Sequence, residues 1–324
     1  MAVRVTAGAR IHAGFTNLSL ANERLYGSLG LGLERPRTVV EASPAADLQC
    51  DHDRARRYAR HALDVLGEAG AAVRVEAELP AHAGLGSGTQ LALAVLSAVA
   101  HVNGRDPRVR DRAPAMGRGG RSGVGVAVFE RGGFVLDAGH PTARFTTAPP
   151  ERGDWSVPPV VARHELPADW RIVLAIPDAE PGPHGAAEEE KLRGVVETAD
   201  QDIADEVAGL VLRQVLPAVA DGDAAQFGRG LAAVGRLNGA WYSEVQGGVY
   251  RPPAGAVIDA LADSPAVAGA GQSSWGPTVY GVTTAEQADA AADAAQAALS
   301  AADADGEVQV VPPSNEGATV ERDI

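Results

Sequence analysis

Pro80-Ala81-His82-Ala83-Gly84-Leu85-Gly86-Ser87-Gly88-Thr89-Gln90 is the stretch on which the reading of this chain turns. Its glycines let the backbone curl so that successive N–H groups converge on an anion, and a helix following directly adds the positive end of its dipole. Such a helix is expected, because Leu91-Ala92-Leu93-Ala94-Val95-Leu96 is apolar almost all round and reads as a helix buried on most of its surface. Ser87 and Thr89 add hydroxyls that can donate to a phosphate or ligate a metal. No Gly-Lys-Ser/Thr follows, so the loop is not a Walker A sequence, and it lacks the acidic residue that completes a dinucleotide fingerprint. On pattern alone a plain glycine turn capping a helix stays open.

Outward from the loop, Val73-Arg74-Val75-Glu76 alternates apolar and polar as a half-buried strand does, and Ala55, Ala59, Ala62, Leu63 and Leu66 recur at helical spacing. Short apolar stretches from Val3 to Leu33 and the β-branched run from Thr38 predict strands and turns. Gly123 to Phe129 and Phe134 to Asp137 flank Glu130-Arg131-Gly132-Gly133, which predicts a hairpin. The proline- and threonine-rich stretch His140 to Pro167 places a boundary near its end, giving domains at residues 1–166 and 167–324. Beyond it come a strand at Arg171 to Ile176, helices over roughly Ala186 to Val245, and a strand at Thr278 to Val282 after a second glycine and serine loop. An alanine-rich surface helix from Ala285 to Ala304 and a closing strand at Val308 to Val311 complete the chain. The whole reads as two domains mixing strands and helices, an α+β fold.

The 324 residues are 45% hydrophobic but only 4% aromatic, so the interior is built from Ala, Val and Leu through many small contacts. A formal charge of −14 excludes a general nucleic-acid or anionic-membrane surface, and any anionic ligand must be held by local cations. Lys191 is the only lysine. Acidic excess with arginine in place of lysine resembles proteins of salt-loving archaea; an arginine-biased, GC-rich genome accounts equally well for the missing lysines. Cys50 stands alone, which excludes an intramolecular disulfide and a cysteine-rich zinc site and fits a reducing interior. No window approaches about eighteen uninterrupted apolar residues, so a cytoplasmic protein without membrane spans is expected. A homodimer stays open.

The loop resembles that of the GHMP-kinase superfamily, in which a proline and three variable residues precede Gly-Leu-Gly-Ser; Pro80 and Gly84 to Ser87 fit this pattern. The continuation Gly86-Ser87-Gly88-Thr89-Gln90-Leu91 is similar to the superfamily's β-ribofuranosylaminobenzene 5'-phosphate synthase branch. Ala9-Arg10-Ile11-His12, Gly117 to Gly125, Gly271-Gln272-Ser273-Ser274-Trp275-Gly276-Pro277-Thr278-Val279-Tyr280 and Asn315-Glu316-Gly317-Ala318 match that branch too. Ala13 to Leu20 departs from its pattern. The resemblance implies a first domain like domain 2 of ribosomal protein S5 and a ferredoxin-like second domain. It also implies a phosphoribosyl donor, 5-phosphoribosyl 1-diphosphate, and an aromatic acid as acceptor, either 4-aminobenzoate or 4-hydroxybenzoate, condensed with loss of carbon dioxide and diphosphate in pterin biosynthesis.

An ATP-dependent small-molecule kinase is the alternative. Many of the kinases carry Pro-Ser-Gly-Ile-Asp where this chain has Arg121-Ser122-Gly123-Val124-Gly125, and glycine accepts no proton from an attacking hydroxyl. The metal-ligating second serine of the kinase loop is Gly88. Arg10, His12, Arg118 and Arg121 are therefore the expected catalytic set, with guanidinium forks for phosphate or carboxylate and histidine as the titratable group. The expected phosphate-binding set is His82, Gly84, Leu85, Gly86, Ser87, Gly88, Thr89, Gln90, Ser122, Gly123, Ser273, Ser274, Gly276 and Thr278. Trp275 is a candidate to stack on the arene or to fill a domain interface. Magnesium is expected to arrive on the diphosphate, its protein ligands unassigned. Glu188-Glu189-Glu190 reads as a solvated helix face.

Overall fold

The computed structural model describes residues 2–145, 151–180 and 186–322. The first half is a curved sheet around two long strands, β1 (Val3–Asn17) and β2 (Arg24–Ser43), paired antiparallel with two register shifts. Through its later half, β2 pairs β4 (Ala71–Ala77), which in turn takes the short parallel β3 (Leu48–Gln49). The earlier half of β2 pairs β5 (Phe134–Asp137) and β6 (His140–Pro141), and β5 pairs β7 (Val160–His164).

Helix α1 (Asp53–Leu66) begins where the His52 ring accepts the Ala55 N–H at 3.2 Å and ends at Gly67, whose φ of 70° breaks the helical path. Its buried face, Ala55, Ala59, Ala62 and Leu63, packs on α2 (Ser87–Val102). Helix α2 is buried from Leu91 to Ala100 without a break, lying between α1, the sheet and α4 (Val124–Arg131), with the one-turn α3 (Val109–Arg112) beside it. The apolar run after the glycine loop thus has neighbours all round.

Helix α4 stands where a hairpin was expected. Val124, Val126, Ala127, Val128 and Phe129 are all buried, and a segment covered on every side shows no alternation to separate helix from strand. Gly132 and Gly133, at φ 61° and 80°, end this helix and hand the chain to β5.

The second sheet is β11-β8-β10-β9, built from β8 (Trp170–Pro177), β9 (Gly269–Gln272), β10 (Val279–Thr284) and β11 (Gly306–Val311), every pair antiparallel. In chain order these strands lie 4-1-3-2, the ferredoxin-like arrangement. Between β8 and β9 run α5 (Ala186–Thr198), α6 (Gln201–Leu210), a π turn at Val211–Val215, α7 (Leu216–Asp221), α8 (Ala224–Gln246) and α9 (Ala254–Ala262); α10 (Ala288–Ala301) precedes β11. Ile172, Leu174 and Ile176 of β8 join the core that holds α6 and α8, and the alternate Val173 and Ala175 face α9 and α10. Helices on both faces explain the uninterrupted apolar run.

The two sheets share one core. Phe134 of β5 meets Phe227 of α8 edge-on at 5.3 Å between ring centroids, and Trp170 of β8 lies 4.9 Å from Phe227. The chain past β11 corrects the expected division at 166/167: β12 (Thr319–Arg322) leaves the second sheet and pairs with the outer edge of β1, Val3 opposite Arg322. Asn315 steers that return, its side chain exchanging two 2.8 Å hydrogen bonds with the backbone of Leu166.

Candidate active site

The glycine loop is held in a left-handed path by Gly84 and Gly86, at φ 86° and 83°. A side chain at Gly84 would lie 2.3 Å from the Ser273 carbonyl, and one at Gly86 would lie 2.9 Å from Cγ of Arg10. Two other segments press on the loop at these points. Arg10 donates from its backbone to Leu85 O at 3.1 Å and from its guanidinium to Gly84 O at 2.6 Å. Ser273 donates its hydroxyl to Gly84 O at 2.7 Å and accepts the His12 N–H at 3.1 Å, while Ser274 N–H reaches His12 O and Thr278 N–H reaches Ala83 O. In the sequence His12 and Ser273 lie 261 positions apart.

Several residues expected to touch phosphate are thereby occupied. Ser273 is fully buried with both hydroxyl functions used, and Gln90 is buried and donates to Gly125 O at 3.0 Å. The Leu85 side chain is in the core. Ser122 accepts the Val124 N–H and Gly123 N–H donates 2.7 Å to Asp137, so this pair starts α4 rather than facing the loop. His82 is exposed at φ 55°. Gly276, at φ 65°, shapes the second loop, and the Thr278 hydroxyl is buried with no partner among the described residues. What remains open at the loop is the α2 N-terminus itself, where Ser87 and Gly88 N–H have no helical acceptor, together with the Ser87 and Thr89 hydroxyls.

Arg118 covers this N-terminus. Its guanidinium is 3.1 Å from where a Gly88 side chain would begin, donates a short hydrogen bond to the Tyr58 hydroxyl of α1, and lies 5.2 Å from that ring's centroid. Burial lowers its pKa, neighbouring Arg54 and Arg152 add to that, and it has no carboxylate partner among the described residues. Trp155 fixes the loop behind it, donating 2.8 Å to Arg118 O. Arg121 differs: its fork holds Glu188 at 2.9 Å and, closer still, Glu189, both at the start of α5. Those acids are half-buried ligands of an arginine, not a solvated face. Burial opposes the Arg121 charge, yet the two glutamates outweigh it and raise its pKa.

Burial, reinforced by the Arg10 charge, pushes His12 down to about 3, which favours a neutral ring at neutral pH. Arg10 falls only to about 10 and keeps its charge. Phe15 packs edge-on against His12 at 4.8 Å, Tyr26 follows at 5.7 Å and His140 at 6.3 Å beyond it, forming an aromatic wall along β1, β2 and β6. Trp275 packs on Tyr242 at 4.8 Å, at the seam between the sheets. Among the described residues no cluster of three or more His, Cys, Asp or Glu side chains forms a metal site. Asp137, the nearest buried acid, spends its oxygens on the N–H groups of Ser28, Gly123 and Gly139.

Sequence reading missed Tyr58, Tyr26, Trp155, Asp137 and His140. Arg118 brings Tyr58 and Trp155 into the site, and the pairing of β2 with β5 and β6 brings the others; none carries a local signature.

This glycine loop, two-sheet architecture and second buttressing loop define the GHMP-kinase fold. The family model described as GHMP kinases N terminal domain matches residues 53–133, and that described as GHMP kinases C terminal matches residues 215–301. The solved mevalonate pyrophosphate decarboxylase of Streptococcus pyogenes shares the fold, with a TM-score of 0.69, 14% identity and coverage of 97% of each chain. At higher identity stand two curated relatives, both called beta-ribofuranosylphenol 5'-phosphate synthase. That of Methanothermobacter thermautotrophicus is 32% identical over 294 residues, 86% of this chain and 88% of the relative. That of Archaeoglobus fulgidus is 34% identical over 287 residues, 87% and 88% of the two chains. The chain belongs to the family of β-ribofuranosylphenol 5'-phosphate synthases.

Proposed function

We propose that the protein is a pentosyltransferase that joins 5-phosphoribosyl 1-diphosphate to 4-hydroxybenzoate or its 4-amino counterpart, releasing diphosphate and carbon dioxide, as a step in methanopterin-type pterin biosynthesis. The relatives' printed product, a phenol, favours the hydroxy acid. The observation that carries the reading lies at Gly125, where the kinases keep a carboxylate: no acid stands there, and a side chain would start 3.1 Å from the Thr89 methyl, a tight fit. A reaction that needs no base at this point suits such a site. The ring carbon bearing the carboxylate bonds to the anomeric carbon as the bond to diphosphate breaks. The carboxylate then leaves as carbon dioxide, and its electron pair restores the aromatic ring, so no proton is gained or lost overall.

In this reading the α2 N-terminus and the Ser87 and Thr89 hydroxyls hold the leaving diphosphate, with Arg118 beside them offsetting the charge that grows as it departs. Arg10, Ser273, Ser274 and Thr278 hold the loop in shape and act on phosphate only through it. Magnesium would arrive on the diphosphate, because Gly88 withdraws the hydroxyl that would ligate it and no metal-binding cluster of acids forms among the described residues. The single cysteine suits a cytoplasmic setting.

The test is carbon dioxide release from carboxyl-labelled 4-hydroxybenzoate, with 5-phosphoribosyl 1-diphosphate, magnesium and high salt. Stoichiometric carbon dioxide and diphosphate are expected. Silence in that assay, with ADP formed from ATP and a small alcohol, would establish a kinase instead.

A further inference from the structure

Two cavities flank the aromatic wall. One, of about 50 Å³, lies at the seam between the sheets and is lined by Phe15, Gly235, Asn238, Tyr242, Tyr250 and Trp275 among others. The other, of about 120 Å³, lies between β2, the Arg118–Arg121 loop and α5, where Tyr26, Arg121, His140, Arg144, Trp155 and Arg193 line it. The first has aromatic faces but no charged side chain on its walls, His12 being neutral. An aromatic carboxylate placed there would be buried with its charge bare, which costs several kcal/mol in order of magnitude. The second offers the same kind of faces together with three guanidiniums, against the two carboxylates of Asp154 and Glu189. Arg121 is spent on Glu188 and Glu189, whereas Arg144 and Arg193 have no carboxylate partner among the described residues.

The wall of this cavity carries a further polar group. His140 is 8% exposed, and its Nε2 is buried with no hydrogen-bond partner among the described residues. Burial keeps the ring neutral, against a bond to the Gly119 backbone that favours charge. A neutral imidazole bonded through one nitrogen to a carbonyl keeps a lone pair on the other. Burial aside, Tyr26 feels the charge of Arg121 and, more weakly, of Glu189 and Arg193, whereas His140 feels that of Arg144.

Resting on the reading above, we infer that this cavity is the acceptor site: the ring lies against Tyr26 and Trp155, its carboxylate meets Arg193, and its para hydroxyl donates to Nε2 of His140. This orientation presents the carboxylate-bearing carbon on the Arg121 side. Trp155 of the same wall donates to Arg118 O, and Arg118 lies over Gly88 at the start of α2, so that side is also the donor's. A hydrogen bond accepted from the hydroxyl raises electron density at the para carbon, the one that attacks. His140 is thus assigned the choice between acids that carry a para donor and those that do not.

Steady-state carbon dioxide release and calorimetric binding test this on the full chain. Arg193→Ala is expected to raise KM for 4-hydroxybenzoate about tenfold while KM for the ribosyl donor stays within twofold, the loss typical of one charge-assisted hydrogen bond. His140→Phe keeps a ring beside Tyr26 and removes the lone pair. In the wild type 4-hydroxybenzoate is expected to bind about tenfold tighter than benzoate, and in His140→Phe the two are expected to bind alike. Gly235→Leu fills the other cavity, its Cβ meeting nothing nearer than the Tyr250 hydroxyl at 3.7 Å, and is expected to leave the acid's KM unchanged. Unchanged acid affinity in Arg193→Ala, or a raised KM in Gly235→Leu, overturns the assignment. A wild type that binds the acid but releases no carbon dioxide removes the proposed function and leaves this site standing. If His140→Phe fails to fold, Arg193→Ala and Gly235→Leu still decide.

Discussion

Gly88 and Asp137 show how much a single position decides here. A serine at Gly88 would restore the kinase spelling, but its Cβ would sit 3.1 Å from an Arg118 guanidinium nitrogen. Gly88→Ser is therefore expected to push that side chain off the α2 N-terminus and lower kcat/KM for the ribosyl donor by about tenfold or more. Its melting temperature should hardly move, because only the flexible end of a side chain gives way. Asp137 is different in kind. Burial lifts its carboxyl to about 6, despite the backbone N–H groups of Gly139, Gly123, Ser28 and Val124, which pull the other way. The folded protein holds this proton more tightly than the unfolded chain, so the stability it contributes is present at low pH and lost as pH rises from 3.8 to about 6. Asp137→Asn is expected to flatten the pH dependence of urea unfolding across that window, by about 2–3 kcal/mol in total. The glycines of the loop were legible in sequence because the left-handed turn that leads into α2 demands them. Asp137 and His140 were not, because their roles exist only once β5 and β6 pair with β2.

Helix α5 and helix α4 were both misread, for opposite reasons. In α4, burial on all sides erased the period that marks a helix. In α5, Glu188 and Glu189 have the composition of a solvated face, and only the fold brings Arg121 to them across the cleft. The pairing ties the second half of the chain to the loop that follows Arg118. Removing both acids leaves a largely buried guanidinium without its counter-charge, so the double change Glu188→Gln, Glu189→Gln is expected to cost about 1–3 kcal/mol. The midpoint of urea unfolding measures this. Helix α2, by contrast, was read correctly from its apolar run, since a glycine loop on one side fixed where it must begin.

Across the entire protein, charge is the dominant variable. A net charge of −14 on 324 residues repels itself, and salt screens exposed charges far more than the buried Arg121 pairs or Arg118. Raising KCl from about 0.1 M to about 2 M is expected to raise Tm by roughly 5–10 °C, read by scanning calorimetry. A Tm that falls with salt would mean that surface ion pairs, not self-repulsion, set the balance. The two-domain α+β plan was visible in sequence from the change of pattern near Pro167, because each sheet is built mainly from its own stretch of chain. The return of β12 was not: four exposed residues with no apolar period give no sign of which edge they will join. That strand also imposes an order on assembly. The outer edge of β1 is made long before its partner, which emerges only after the second sheet, so while everything between them is synthesised that edge offers unpaired backbone to any passing chain. Protection of nascent chains by a holding chaperone should therefore matter more for this protein than its finished stability would indicate.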